Sequence, residues 1–188
     1  MNIFLRAKHW QLFLLFIGIP FIMQMLGIIL MITTRNGRLM FVIFPLMTIL
    51  FSGTLFAWLY ILSINLHRKL PENTMMNITR FKVLFWIAVF FLLATFGYMF
   101  TIPFSSSHGS HGLLFGLLMV PGTFLYMFCA FYVMYFIAKE LKTVELQRDV
   151  MFSDYIGEFL LLWFFPVGVW VLQPRINKLF ASINLEVS

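Results

Sequence analysis

Charged side chains are absent from four stretches of the chain, 10–32, 39–64, 83–104 and 113–138, and each of the 13 basic and 7 acidic residues falls between or beyond them. Each stretch holds 22 to 26 residues, and at about 1.5 Å of rise per residue a helix of that length crosses the roughly 30 Å hydrocarbon layer of a bilayer. Lipid offers no partner to a bare amide or carbonyl. Helices, which satisfy these groups internally, are therefore selected over irregular chain, and the alternation expected of a barrel strand is missing. The pattern predicts an all-α, polytopic membrane helix bundle with four transmembrane helices, forming a single integral membrane domain over 1–188.

A fifth apolar stretch breaks the pattern. From 159 to 172 the run FLLLWFFPVGVWVL carries no charge but has only 14 residues, and it reaches 18 only when extended back to Tyr155, taking in Gly157 and Glu158. That is short for a span, so 155–172 reads as a re-entrant or fifth transmembrane segment, with Pro166-Val167-Gly168 as the expected bend. Beyond it, Pro174 suits the first turn of a helix. Ile176, Leu179, Phe180 and Ile183 then recur at i, i+3, i+4 and i+7, with Arg175, Asn177 and Lys178 on other faces. This predicts a C-terminal amphipathic helix over 174–183, suited to an anionic leaflet.

The basic residues assign the sides. Arg6, Lys8, Arg68, Lys69, Arg80, Lys82, Lys139, Lys142 and Arg148 fall on one side of the four spans, against Arg35 and Arg38 on the other. The positive-inside preference puts the amino terminus in the cytoplasm, and a bacterial inner membrane fits this bias. If 155–172 returns, Arg175 and Lys178 join the rich side; if it spans, they join the poor one. The rule therefore favours return. The first stretch, preceded by Arg6 and Lys8, is too long for an ordinary signal-peptide core and reads as a retained helix.

Composition narrows the class rather than the activity. With 62% hydrophobic and 11% charged residues, a water-soluble globule and a disordered chain are both excluded. The net charge of +6 is accounted for by cytoplasmic loops, so no nucleic-acid partner is expected. Cys129 is the one cysteine; it rules out an intrachain disulfide and reads as a small apolar side chain.

Candidate chemistry is sparse. The chain has no Walker loop, dinucleotide glycine fingerprint, His-Glu-x-x-His, Cys-x-x-Cys or Gly-x-Ser-x-Gly motif, and no cofactor is expected. The four stretches hold no ionisable group of the kind that ion-coupled transporters, proton pumps and intramembrane proteases use. His108 and His111 lack further ligands nearby in sequence, while His9 and His67 flank helices where structural roles are expected. The run 139–154 reads as a helical continuation with solvated charges, and Ser153 or Asp154 as a cap for the next helix. Gly53 and Ala57 have a spacing that supports close helix contact.

The most distinctive segment runs from Glu158 through Pro166, Gly168, Gln173, Pro174 and Arg175. Glu158 is expected at the start of a helix, one turn beyond Asp154 and within reach of Arg148 or Arg175. These features point to a non-enzymatic subunit or regulator of a larger membrane complex, surrounded by lipid and associated with a protein partner or a second copy. The alternative is a channel or transporter component for a neutral or apolar solute, suggested by the helix prolines. A lipid-acting enzyme is a third reading that rests on Glu158 and the histidines alone.

Overall fold

In the computed structural model, which describes residues 7–37, 40–71, 74–101 and 110–186, the chain forms six helices and no strand among those residues. Helix α1 covers His9–Thr34, α2 Met40–His67, α3 Ile78–Thr101, α4 Ser110–Leu146, α5 Phe152–Trp163 and α6 Phe165–Glu186. The first four are long and apolar enough to cross a bilayer, as an integral membrane protein requires.

Helix punctuation follows local chemistry. Pro20 cannot donate to the carbonyl one turn back, and its ring crowds that group. The turn just before it, Leu14–Gly18, widens into π geometry and relieves the clash. Helix α1 stops at Arg35, which is left-handed at φ 51°. Asn77 caps α3 by accepting from the amides of Thr79 and Arg80 at 3.0 and 3.1 Å. Neither Ser153 nor Asp154 is the N-cap of α5. Met151 holds that position, and Asp154, three residues on, accepts its amide at 3.1 Å. The run after Ala138 continues α4 to Leu146.

Burial is concentrated at one end of the bundle. Leu12 and Phe16 of α1, Trp58, Leu62 and Leu66 of α2, Phe81 and Phe85 of α3, and Val133 and Ile137 of α4 are enclosed there together with α5 and α6. Toward the other end, Phe21, Leu26 and Ile29 of α1 and Phe124 and Phe128 of α4 are exposed, as lipid-facing side chains are.

The segment after α4 departs from expectation in two places. The break falls at Phe164 (φ −84°, ψ 53°) rather than at Pro166-Val167-Gly168. Pro166 is the second residue of α6, where its missing amide would have had no helical partner. A separate helix beginning at Pro174 is also absent, because α6 runs through it. Val169 and Leu172 before the proline and Ile176 and Phe180 after it are all buried, and this continuous stripe holds the helix across the lost hydrogen bond.

Helices α5 and α6 pack against each other, and Gly168 sets how closely. A β-carbon at that position would lie 1.8 Å from the carbonyl oxygen of Leu161, which belongs to the backbone of α5 and cannot rotate away. The tip of the pair is wedged into the bundle, with the Phe165 ring 5.0 Å from Phe16 and 6.1 Å from Phe51. Gly168→Ala must therefore spread α5 from α6. The expected cost is about 1–3 kcal/mol, typical of an overpacked core, read as a lower thermal midpoint in mild detergent, whereas Gly157→Ala, which faces open space, leaves the midpoint near that of the parent.

Candidate functional site

The charges at the buried end form a neutral cluster contributed by three helices. Lys142 and Glu145 come from the last turns of α4, Glu158 from the buried face of α5 shared with Tyr155 and Leu162, and Arg175 from α6. The Arg175 guanidinium bridges both acids: Nε donates to Glu145 Oε1 at 3.0 Å, and Nη2 donates to Glu145 Oε2 and, at 2.8 Å, to Glu158 Oε1. Lys142 Nζ donates to the same Glu158 oxygen at 3.2 Å. Arg148 pairs with Asp154 at 3.4 Å; it does not reach Glu158.

Electrostatics fix the state of this cluster. Burial raises the Glu158 carboxyl, but hydrogen bonds from Arg175 and Lys142 outweigh that effect and hold it below the ordinary carboxylate range. Burial lowers Arg175, while Glu145 and Glu158 more than restore it. An acid held in this way is ionised near neutrality, so it accepts hydrogen bonds rather than delivering a proton. The group acts as a clamp that ties both arms of the α5–α6 pair to α4.

Gln173 lies outside that clamp, in a second network. It is fully buried, accepts from the Trp58 indole at 3.3 Å, and donates to the Ala7 carbonyl and to Asn177 Oδ1, each at 3.1 Å. Asn177 also donates to Ala7 at 3.1 Å, so α6 is bonded to the start of α1 as well as to α2. Of the six candidate residues, Glu158 and Arg175 meet directly. Gln173 joins α6 to α1 and α2, Pro166 and Gly168 shape the turn, and Pro174 is passed over within α6.

A third polar group was missed in sequence because the charge-free windows stop before it. Glu140 is fully enclosed between α4 and α2. Ser63 Oγ donates to its Oε2 at 2.6 Å, and His67 Nδ1 lies 3.0 Å from its Oε1. Its signal was present, since Ile137, Glu140, Leu141 and Val144 fall at i, i+3, i+4 and i+7, a stripe that buries whatever it carries. Both Ser63 and His67 contact the Glu140 carboxyl group rather than each other. A nucleophilic relay would instead need the serine to bond to the histidine.

His9 packs on Trp170, with ring centroids 4.7 Å apart. His108 lies outside the described residues, as does the side chain of His111. Among the described residues no three His, Cys, Asp or Glu side chains converge.

Two apolar clefts flank α3. The cleft between α2 and α3, about 340 Å³, is lined by Gly53, Ala57, Tyr60, Phe85, Trp86 and Val89. Gly53 therefore faces open space rather than making the close helix contact its spacing implied. The second cleft, about 490 Å³, lies along Lys82, Val83, Trp86, Ile87 and Phe90. Comparison with known protein families, with curated proteins and with solved structures gives no match.

The clamp implies a defined acid response. Glu158 is held below its unfolded value of about 4.3, so its contribution is complete above that pH and is lost as pH falls through the lowered folded value. The gap in thermal midpoint between the parent chain and Glu158→Gln, read in mild detergent, should stay constant from neutrality down to about pH 5 and close below about pH 4, so that the variant shows the shallower acid drop. An identical acid profile in that variant would mean that the clamp contributes nothing to stability.

Proposed function

We propose that this protein is a non-enzymatic subunit or regulator of a larger assembly in the bacterial inner membrane, inserted with its amino terminus in the cytoplasm. In this reading α5 and α6 form a re-entrant hairpin, and the carboxyl-terminal part of α6 lies on the cytoplasmic side. Helix α5 has 12 residues, about 18 Å of rise against roughly 30 Å of hydrocarbon. Past the turn, α6 bonds back to Ala7 before α1, and Lys69, after α2, sits 4.5 Å over the Phe180 ring. Return thus gathers Arg175 and Lys178 with the basic residues at the same helix ends, in keeping with the positive-inside rule.

The observation that carries the role is the second half of α1. From Ile19 to Thr34 no side chain is buried, and this stretch packs chiefly against α2, where Gly27 admits the Ile43 side chain. Lipid satisfies its Ile, Leu, Met and Phe residues but not Gln24. That amide sits mid-helix and makes no hydrogen bond among the described residues. A primary amide in hydrocarbon favours a second helix that can bond to it, and a bond of this kind is worth about 0.6–2 kcal/mol. The occupant is a transmembrane helix of another subunit or of a second copy.

A photocrosslinking residue at Phe21, one turn from Gln24, tests this in native membranes. The expected result is a discrete protein adduct, reduced several-fold by Gln24→Leu in line with the loss of about 1 kcal/mol. The same probe at Phe124 on α4 serves as the lipid-facing control. Adducts of equal yield and pattern at both positions, unaffected by Gln24→Leu, would contradict the role.

A further inference from the structure

We propose that the outer face of α3 binds a diacyl phospholipid with an anionic headgroup, one acyl chain on each side of Trp86 and the phosphate at Lys82. The inference needs only a chain seated in a bilayer and does not depend on a protein partner or on the direction of insertion.

Shape supplies the first argument. Trp86 is 59% exposed and borders both clefts, so it stands as a ridge between two apolar troughs. The trough toward α2 exists because Gly53 and Ala57 are one turn apart on α2 and project little; a β-carbon on Gly53 would meet nothing within 4 Å. The trough on the other flank follows Val83, Ile87 and Phe90. A partner helix is about 10 Å wide and needs one continuous groove, which the indole interrupts. Two narrow troughs around a ridge instead match the paired chains of one lipid.

Charge supplies the second argument, and it selects the headgroup. Lys82 lies one turn from Trp86 toward the start of α3 and lines the outer trough together with Thr79. Lys82, Thr79 and Arg80 are all exposed. Lys82 and Arg80 pair with no carboxylate among the described residues. Asn77 already occupies the amides of Thr79 and Arg80, so the positive field at this end comes from side chains. From Lys82 to Phe90 the outer trough runs about 12 Å along the helix, with the inner trough beside it from Phe85 to Val89, which places an ammonium at headgroup depth and apolar walls at acyl depth. Tyr60, on the α2 side of the ridge, adds an aromatic ring with a hydroxyl near the same interface.

The test uses the full chain reconstituted in phosphatidylcholine vesicles, titrated with brominated phosphatidylglycerol or brominated phosphatidylcholine, with tryptophan fluorescence as the readout. Subtracting Trp86→Phe isolates the signal of Trp86. The expected result is half-maximal quenching at about fivefold lower content of the anionic lipid, the effect of one interfacial lysine. Lys82→Gln, at an exposed position where folding is not at stake, should abolish that preference, since Arg80 lines neither trough, and Lys82→Arg should keep it. Gly53→Leu, which fills the inner trough, should weaken quenching by both lipids. Equal quenching by the two lipids in the parent chain, or a preference that survives Lys82→Gln, would overturn the proposal. Both lipids are present in both leaflets, so neither outcome depends on the orientation or assembly proposed above.

Discussion

The architecture depends on one backbone approach, that of Gly168 in α6 to the Leu161 carbonyl in α5. The reversal at Phe164 brings two short helices together near their shared turn, and only a residue without a β-carbon allows them this close. Once they are paired, their bases are far enough from the turn to take up position against α4, where Glu158 and Arg175 meet Lys142 and Glu145. A glycine at the tip and an ion cluster at the base therefore act on the same object. Loosening the tip would move two charges out of reach of their partners, in surroundings that tolerate an unpaired charge poorly.

The same pair organises the rest of the buried end. Phe165 enters between α1 and α2, and Gln173 ties the start of α1 to Trp58. Glu140 with Ser63 and His67 joins α4 to α2 further along the same helix. Each polar group is thus placed between helices, where apolar attraction alone does not hold a bundle together in lipid. The opposite end lacks α5 and α6, and among the described residues α1 and α4 present exposed apolar flanks there. These flanks include the second half of α1, with its mid-helix glutamine.

The long helices were legible because exclusion of charge over 22–26 residues has one physical reading in a chain this apolar. Their ends were less so. Helix α4 carries charge past Ala138 while remaining helical and partly buried, so the windows drawn from charge stopped before Glu140. Proline misled twice, in a consistent way. It marked Pro166 as a bend when it lies in a first helical turn, and Pro174 as a helix start when buried neighbours carry the helix past it. Phe164, where the chain does break, has no side-chain property that signals a turn; the reversal is imposed by packing on both sides. The pairing of Glu158 with Arg175 was readable from their types and positions. The parts played by Lys142 and Glu145 required knowing that α4 runs beside the α5–α6 pair.

The proposed topology rests on entry and return of the α5–α6 pair, which leaves the end of α6 on the side where α1 begins. Labelling by a membrane-impermeant maleimide in right-side-out and inside-out vesicles tests it most directly, using single cysteines introduced at Lys178, Lys69 and Asn36 in a Cys129→Ala background. With a returning pair, Lys178→Cys reacts in the same vesicles as Lys69→Cys and not in those that label Asn36→Cys. Labelling of Lys178→Cys together with Asn36→Cys would mean that the segment crosses the membrane, and would contradict this topology.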